Sequence, residues 1–324
     1  VVPNPRLSKV YEGIALCKKE NVDFLLAVGG GSVIDSAKAI GYGMANECDV
    51  WDLYSQKSRP SGCLPVGTVL TIAAAGSEMS DSSVITNDMT WQKRGLSSDY
   101  SRCRFAVLNP ELTYTLPPYQ TACGCVDILM HTMERYFTTD KNTGLTDEIS
   151  EALMRTVLHN AKILIDHPYD YAARAEIMWA GSLAHNGLTG CGRTGDWASH
   201  QLEHELSGMF DVAHGAGLAA IWSSWARYVY QTDAERFARF AVQVMGISEQ
   251  SQTQEELALE GISAMERFYH QIGMPVSISE LGVLLTEEQC RQLAYHCSFE
   301  GTRSIGGFRT LNQSDMEQIY KSAR

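Results

Sequence analysis

Long apolar runs are missing from this chain of 324 residues, and with them any segment able to cross a bilayer as a helix. Its opening residues lack the basic, apolar and small-residue regions of a signal peptide, so a cytoplasmic protein is expected. Positive charge is scarce: 26 Lys and Arg against 38 Asp and Glu leave a formal net charge of −12, which argues against a nucleic-acid partner. Cysteine is present without a framework. The nine residues are an odd count with neither disulfide-scaffold nor zinc-finger spacing, and Cys123 and Cys125 diverge on what reads as a helix, so reduced thiols are expected. Internal repeats and low-complexity segments are also lacking.

What the chain does have is a cluster of histidines in 196–217, DWASHQLEHELSGMFDVAHGAG. His200 and His204 are four apart and share a helical face; Gly208 is expected to stop that helix, so that His214 returns beside His200 at the opening of the next, GAGLAAIWSSWARYVY. A second pair, Asp127 and His131, has the same spacing in CVDILMHTMERY. A single buried histidine is most often a hydrogen-bonded core residue. Two helical faces that each repeat an i,i+4 pair are harder to explain by packing, because every buried imidazole or carboxylate needs a partner. One carboxylate with two or three imidazoles suits Fe²⁺, Zn²⁺, Co²⁺ or Ni²⁺ and does not suit Ca²⁺.

The rest of the chain divides. A helix over about Ser8 to Glu20 leads into an apolar strand, FLLAV, then a turn at Gly29, Gly30 and Gly31 and a helix from Ser32. A helix feeding a buried strand looks like the middle of a βαβ arrangement, and an N-terminal piece is expected to be absent. Bare amides at a helix N-terminus suit a diphosphate. The turn is neither GxGxxG nor a Walker A loop, and a strand turning sharply into a helix also explains it. Asp35 either faces a ligand there or favours the helix start electrostatically. CLPVGTVLTI and RFAVLN read as further strands, the small residues of AAAGSEMS could let backbone approach a ligand, and Lys93 and Arg94 either neutralise phosphate or form a solvated hairpin tip. From Tyr119 onward only helical periodicity is evident. The division falls within 109–118 and is placed after Leu112: an α/β domain over 1–112 and an all-α domain over 113–324.

LAVGGGSVIDSAKAI, PVGTVLTIAAAGSEMS, LTYTLPPYQTACGCVDILMHTMERYF and GDWASHQLEHELSGMFDVAHGAGLA together resemble the iron-containing (group III) alcohol dehydrogenases, with the greatest likeness to the NADPH-dependent butanol dehydrogenase branch. The resemblance covers the whole chain. It implies a dehydroquinate synthase-like fold, an incomplete Rossmann-like, nucleotide-binding domain followed by a helical, metal- and substrate-binding one, and a homodimer. The implied metal ligands are Asp127, His131, His200 and His214, with Fe²⁺ the first candidate and His204 a proton-relay group beside the metal. Gly30, Gly31 and Ser32 are implied to hold the diphosphate, and Asp35, Thr68, Thr71, Lys93 and Leu112 to lie along the cofactor. The chain departs from many members at Ala75 and Ser80, where Thr and Asn are frequent. Members carry a further N-terminal βαβ portion that holds the usual NAD/NADP determinant, so the choice of NADP(H), with NAD the alternative, rests on branch similarity.

The implied activity is hydride transfer between NAD(P)H and a small primary alcohol or aldehyde such as butanol or butanal, with the cation acting on the substrate oxygen. Rival readings are a lyase of the dehydroquinate synthase type, a glycerol dehydrogenase-like enzyme and a metallohydrolase. The lyase would need a phosphate-substrate site rich in Lys and Arg, and the metal-bearing helices carry few. The hydrolase would work without nicotinamide.

Overall fold

Residues 1–249 and 252–324 are described by a computed structural model. Helix α1 (Leu7–Glu20) buries Leu7, Val10, Ile14 and Cys17, the three- and four-residue spacing of one apolar stripe. Asn21, left-handed at φ 52°, ends it. Strand β1 (Leu25–Gly29) then leads through Gly30 into α2 (Gly31–Ala45); α3 (Val50–Tyr54), β2 (Val66–Leu70), the hairpin β3 (Ser82–Asn87) and β4 (Gln92–Ser97), and β5 (Ala106–Leu108) follow. β1, β2 and β5 form a parallel sheet in that order, Leu25 opposite Val66 and Thr68 opposite Ala106. The hairpin pairs antiparallel, and Thr86 of β3 also bridges Arg6.

Only the central strand matches the expectation of a buried run. Side chains alternate across a strand, and β1 turns Ala27 inward while Leu26 and Val28 are 56% and 57% exposed. Phe24, Phe105 and Val107 are exposed as well, so one face of this sheet is covered and the other is open and apolar.

Pro118 opens α4 (Pro118–Tyr136), and from there the elements are helical: α5 (Gly144–Asp166), α6 (Tyr171–His185), α7 (Ala198–Phe210), α8 (His214–Val229), α9 (Ala234–Gln243), α10 (Gln254–Gln271), α11 (Glu287–Cys297) and α12 (Gln313–Ser322). Among the described residues the exception is an isolated bridge between Ile305 and Leu311. Helix α4 is the axis of this part. Every residue from Ala122 to Tyr136 is buried, wrapped by α5, α6 and α8. Phe137 just beyond it stacks on Phe237 at 4.3 Å and meets Trp222, Trp225 and Phe240. One core runs on from these rings to Ile34 and Leu70 of the α/β part, so the change of secondary structure is not a break in packing. A smaller core, including Val10, Tyr42 and Ile85, lies under α1 and α2.

Gly208 does not stop α7. The helix continues to Phe210 and ends on Asp211, left-handed at φ 52°. Gly208 serves packing instead, since a Cβ there would lie 2.6 Å from the Trp91 carbonyl oxygen of the hairpin. All nine cysteines are free, and no helix among the described residues is long and apolar enough to cross a membrane.

Candidate metal centre and cofactor cleft

Asp127 and His131 stand on one face of α4, buried to 3% and 4% exposure. Their helix mates them: His131 Nδ1 lies 3.1 Å from Asp127 Oδ1. Helix α7 is aimed at this pair by two carboxylates at its N-terminus, where anions are favoured. Asp196 accepts the Ala198 amide at 3.0 Å and Glu134 of α4 accepts the His200 amide at 2.9 Å. His200 Nε2 thereby comes within 3.7 Å of Asp127 Oδ1. Helix α8 arrives from the other side. A Cβ on Gly215 would lie 2.1 Å from the Cys123 carbonyl oxygen. Only glycine lets α8 press on α4 closely enough for His214 Nε2 to reach 3.8 Å from Asp127 Oδ1.

Three imidazole nitrogens therefore surround Asp127 Oδ1, and Asp127, His131 and His200 offer ligand atoms all within 4.8 Å of one another. Ligands about 2.1 Å from a tetrahedral cation stand about 3.4 Å apart, which the separations of 3.1, 3.7 and 3.8 Å about Asp127 Oδ1 bracket. Asp127 Oδ1, His131 Nδ1 and His200 Nε2 are buried with no hydrogen-bond partner, an arrangement that is unfavourable unless a cation joins them. The donor set fits a transition-metal or zinc ion.

The field is that of a cation site. Burial alone would lower His200, yet the carboxylates of Glu134 and Asp127 push its pKa up to about 9. Burial first, and nearby cationic and imidazole groups second, hold His131 and His204 well below the usual histidine value, so these rings keep a free lone pair. Glu203 hydrogen-bonds His214 Nδ1, the nitrogen opposite the one that faces Asp127. His214, Glu203 and His204 also satisfy the spacing of a separate cluster, but that bond marks Glu203 as an outer support that orients a ligand. Burial would raise the Glu203 carboxyl; His214 and Lys93 override it and hold it well below the ordinary range.

A cavity of about 980 Å³ joins this centre to Gly30, Gly31 and Ser32, large enough for an extended ligand. A Cβ on Gly30 would lie 2.1 Å from Ile72 Cγ2, so the glycine turn is needed for close packing. Gly30 itself is at φ −95°, which any residue adopts. Asp35 lines the cavity, but both its oxygens are engaged, by Ser77 Oγ at 2.5 Å and the Val84 amide at 2.9 Å. Lys93 is neither a solvated tip nor free. It is 5% exposed, 3.5 Å from Glu203 and 3.1 Å from Asn4 Oδ1, and Arg94 pairs with Glu205 at 3.0 Å. Two ion pairs thus pin β4 to α7 and put Lys93 on the cavity wall.

Thr68 corrects its expected role: it is fully buried and its hydroxyl donates to the Ala27 carbonyl across the sheet. Thr71 and Leu112 follow the carboxyl ends of β2 and β5, where open α/β sheets bind ligands, but neither lines the cavity. The small residues of 73–77 lie partly on the cavity and partly against α6, where a Cβ on Gly76 would meet the Gly181 carbonyl at 2.6 Å. Glu134, Glu203 and His185 escaped the sequence reading. His185, bonded to the Ala75 carbonyl at 2.7 Å, packs its ring 4.0 Å from that of His131. A signal existed for the two acids, since each lies three residues beyond a ligand on the same helix. The cavity is also more cationic than the metal-bearing helices suggested, because Lys93, Arg94, Arg102 and Arg303 come from other elements.

Known proteins resemble the chain along its length. Residues 1–110 match the family model described as iron-containing alcohol dehydrogenase, and residues 121–324 match that of the Fe-containing alcohol dehydrogenase family, C-terminal. The chain is 41% identical over 323 residues to the probable NADH-dependent butanol dehydrogenase 1 of Bacillus subtilis (strain 168), covering 100% of this chain and 82% of that protein. It is 32% identical to the NADPH-dependent aldehyde reductase of Escherichia coli (strain K12) over 327 residues, 100% of this chain and 84% of the other. The crystal structure of NADH-dependent butanol dehydrogenase A from Thermotoga maritima matches with a TM-score of 0.94 at 39% identity, covering 100% of this chain and 82% of that one. With both halves matched and these relatives aligned end to end along it, the chain belongs to the iron-containing alcohol dehydrogenase family.

Proposed function

We propose that this enzyme reduces small aldehydes such as butanal, and oxidises the matching primary alcohols, at the point where the Asp127 and histidine donors face the cavity. The observation that carries the reading is the convergence of His131, His200 and His214 on Asp127 Oδ1, with partnerless buried atoms among them. Asp127, His131, His200 and His214 would hold the cation, Fe²⁺ first and Zn²⁺, Co²⁺ or Ni²⁺ as alternatives. Bound here, the cation supplies Lewis acidity and the nicotinamide a hydride equivalent.

The chain's own groups bind, orient and move protons. The amides of Gly31 and Ser32 open α2 on the cavity without a protein acceptor among the described residues and receive the diphosphate. Lys93, held by Glu203, orients the nicotinamide ribose; Thr71 and Leu112 stand off the cavity wall, past the carboxyl ends of β2 and β5, toward the remainder of the cofactor. Asp35 acts by fixing Ser77 and β3. His204, a neutral imidazole on the cavity wall, passes the proton that the substrate oxygen gains as its carbon gains hydride. Relatives named for NADH stand at 37 to 41% identity and one named for NADPH at 32%, which moves the proposed preference from NADPH toward NADH. A homodimer and a cytoplasmic location complete the proposal.

Elemental analysis of anaerobically purified protein, coupled to NADH and NADPH oxidation by butanal, tests the reading. About one transition-metal ion per chain and butanal-dependent oxidation are expected. Absence of either, or turnover without nicotinamide, overturns it.

A further inference from the structure

Six cationic side chains line the cavity: Lys93, Arg94, Arg102, Arg135, Arg193 and Arg303. Four are paired with carboxylates, namely Lys93 with Glu203 (3.5 Å), Arg94 with Glu205 (3.0 Å), Arg102 with Asp99 (2.7 Å) and Arg193 with Asp147 (2.5 Å). Arg135 donates to the His131 and Ala184 carbonyls. Arg303 differs. Among the described residues it makes one side-chain hydrogen bond, from Nε to the Cys297 carbonyl at 2.9 Å, and no ion pair.

Its guanidinium is nevertheless fixed. It lies over the Phe299 ring at 3.5 Å, with Arg94 4.5 Å from the same ring. Stacking takes up the face of the planar fork and leaves its edge free to donate two parallel bonds. The backbone beneath is unusual: Phe299, Glu300 and Gly301 are consecutively left-handed, at φ 48°, 60° and 79°. Hydrogen bonds from the Phe299, Glu300 and Arg303 amides to the His296, Tyr295 and Ser298 carbonyls hold the run in place. Residues kept in this region by their surroundings concentrate at binding sites. The loop is also joined to the metal-bearing helix, Cys297 Sγ meeting the Gln201 carbonyl at 3.5 Å. Arg303 lines the same cavity as Asp127, His131, His200 and His214, so one ligand inside it can meet both.

We infer that Arg303 is a specificity-determining residue that receives the carboxylate of a short ω-oxo acid, the aldehyde group of which reaches the metal centre. This rests on the aldehyde reductase reading above and narrows its substrate class. A neutral aldehyde leaves the Arg303 edge unmatched, whereas a carboxylate takes both of its parallel bonds.

The test compares 4-oxobutanoate with butanal in the metal-loaded full chain, as wild type, Arg303→Gln and Arg303→Lys. Wild type is expected to favour the oxo acid by at least tenfold in kcat/KM. Arg303→Gln should lower the ratio of the two kcat/KM values at least tenfold, mainly through KM, and Arg303→Lys should restore part of it. Calorimetric titration gives a readout apart from turnover: 4-hydroxybutanoate should bind wild type at least tenfold more tightly than 1-butanol and lose that margin in Arg303→Gln. Butanal turnover with no preference for the oxo acid, or an unchanged ratio in Arg303→Gln, overturns the assignment while leaving the reductase reading intact. No turnover of either aldehyde overturns both.

Discussion

Asp127 Oδ1 stands 3.7 Å from His200 Nε2, both atoms buried and neither hydrogen-bonded to protein. A carboxylate in that position destabilises the chain until a cation joins it. Removing the metal with a chelator is expected to lower the thermal midpoint by about 5 °C, the effect of losing a ligand present at about 100 times its Kd, ~2.7 kcal/mol. Adding Fe²⁺ or Zn²⁺ should restore it. Asp127→Asn should lose the metal, and its midpoint should no longer respond to the chelator. Differential scanning calorimetry with elemental analysis checks both.

His204 and His200 differ in office although one helical turn separates them. The His204 ring centre is 6.3 Å from that of His200 and 5.8 Å from that of His214, and only His200 approaches Asp127. His204→Ala should keep its metal and lose roughly 100-fold in kcat, the lower range for a proton-transfer group. His200→Ala should lose the metal itself. A metal-free His204→Ala protein would make His204 a ligand.

Gly215 sets how deeply α8 seats on α4. With Cys123 backbone atoms 2.1, 2.7 and 2.8 Å from the place of its absent Cβ, Gly215→Ala must push the helix away and carry His214 with it. Metal affinity should fall at least tenfold, the scale of a disturbed ligand support, while the circular dichroism spectrum stays that of the parent. Gly144→Ala, with nothing within 4 Å, is the control and should change neither.

Glu78 makes a pH-dependent prediction. Burial raises its carboxyl above the usual 4.5, though the Ser182 hydroxyl donates to it at 2.7 Å. The folded chain therefore binds this proton more tightly than the unfolded chain. Below about pH 4.5 the group is protonated in both states, and the penalty of ionising it grows as pH rises through the folded value. Glu78→Gln should be more stable than wild type at pH 8 and lose that advantage near pH 4.5. Urea unfolding at the two pH values decides it.

The helical pairs of the candidate site were legible because helices translate spacing into direction: Asp127 with His131, and His200 with His204, are four apart and must share a face, while the choice of His214 over His204 as a candidate ligand came only with the family resemblance. The Gly-rich turn was legible for the same local reason. What lay out of reach depended on contacts between distant segments. Glu134 and Glu203 look like ordinary helical acids until α4, α7 and α8 meet, when each carboxylate meets the histidine of a neighbouring element. Lys93 and Arg94 look like a solvated tip because nothing local announces Glu203 and Glu205 on α7. Gly208 carries the signature of a helix stop, but the tight approach of Trp91 is what requires it.

Phe24 and Phe105 stack at 6.0 Å on the open face of the parallel sheet, beside Leu26, Val28 and Val107. Water there meets an apolar strip on a chain of net charge −12. Salting-out ions and hydrophobic resins act on such a strip, so the open sheet is one place from which concentrated salt draws the chain onto an apolar surface.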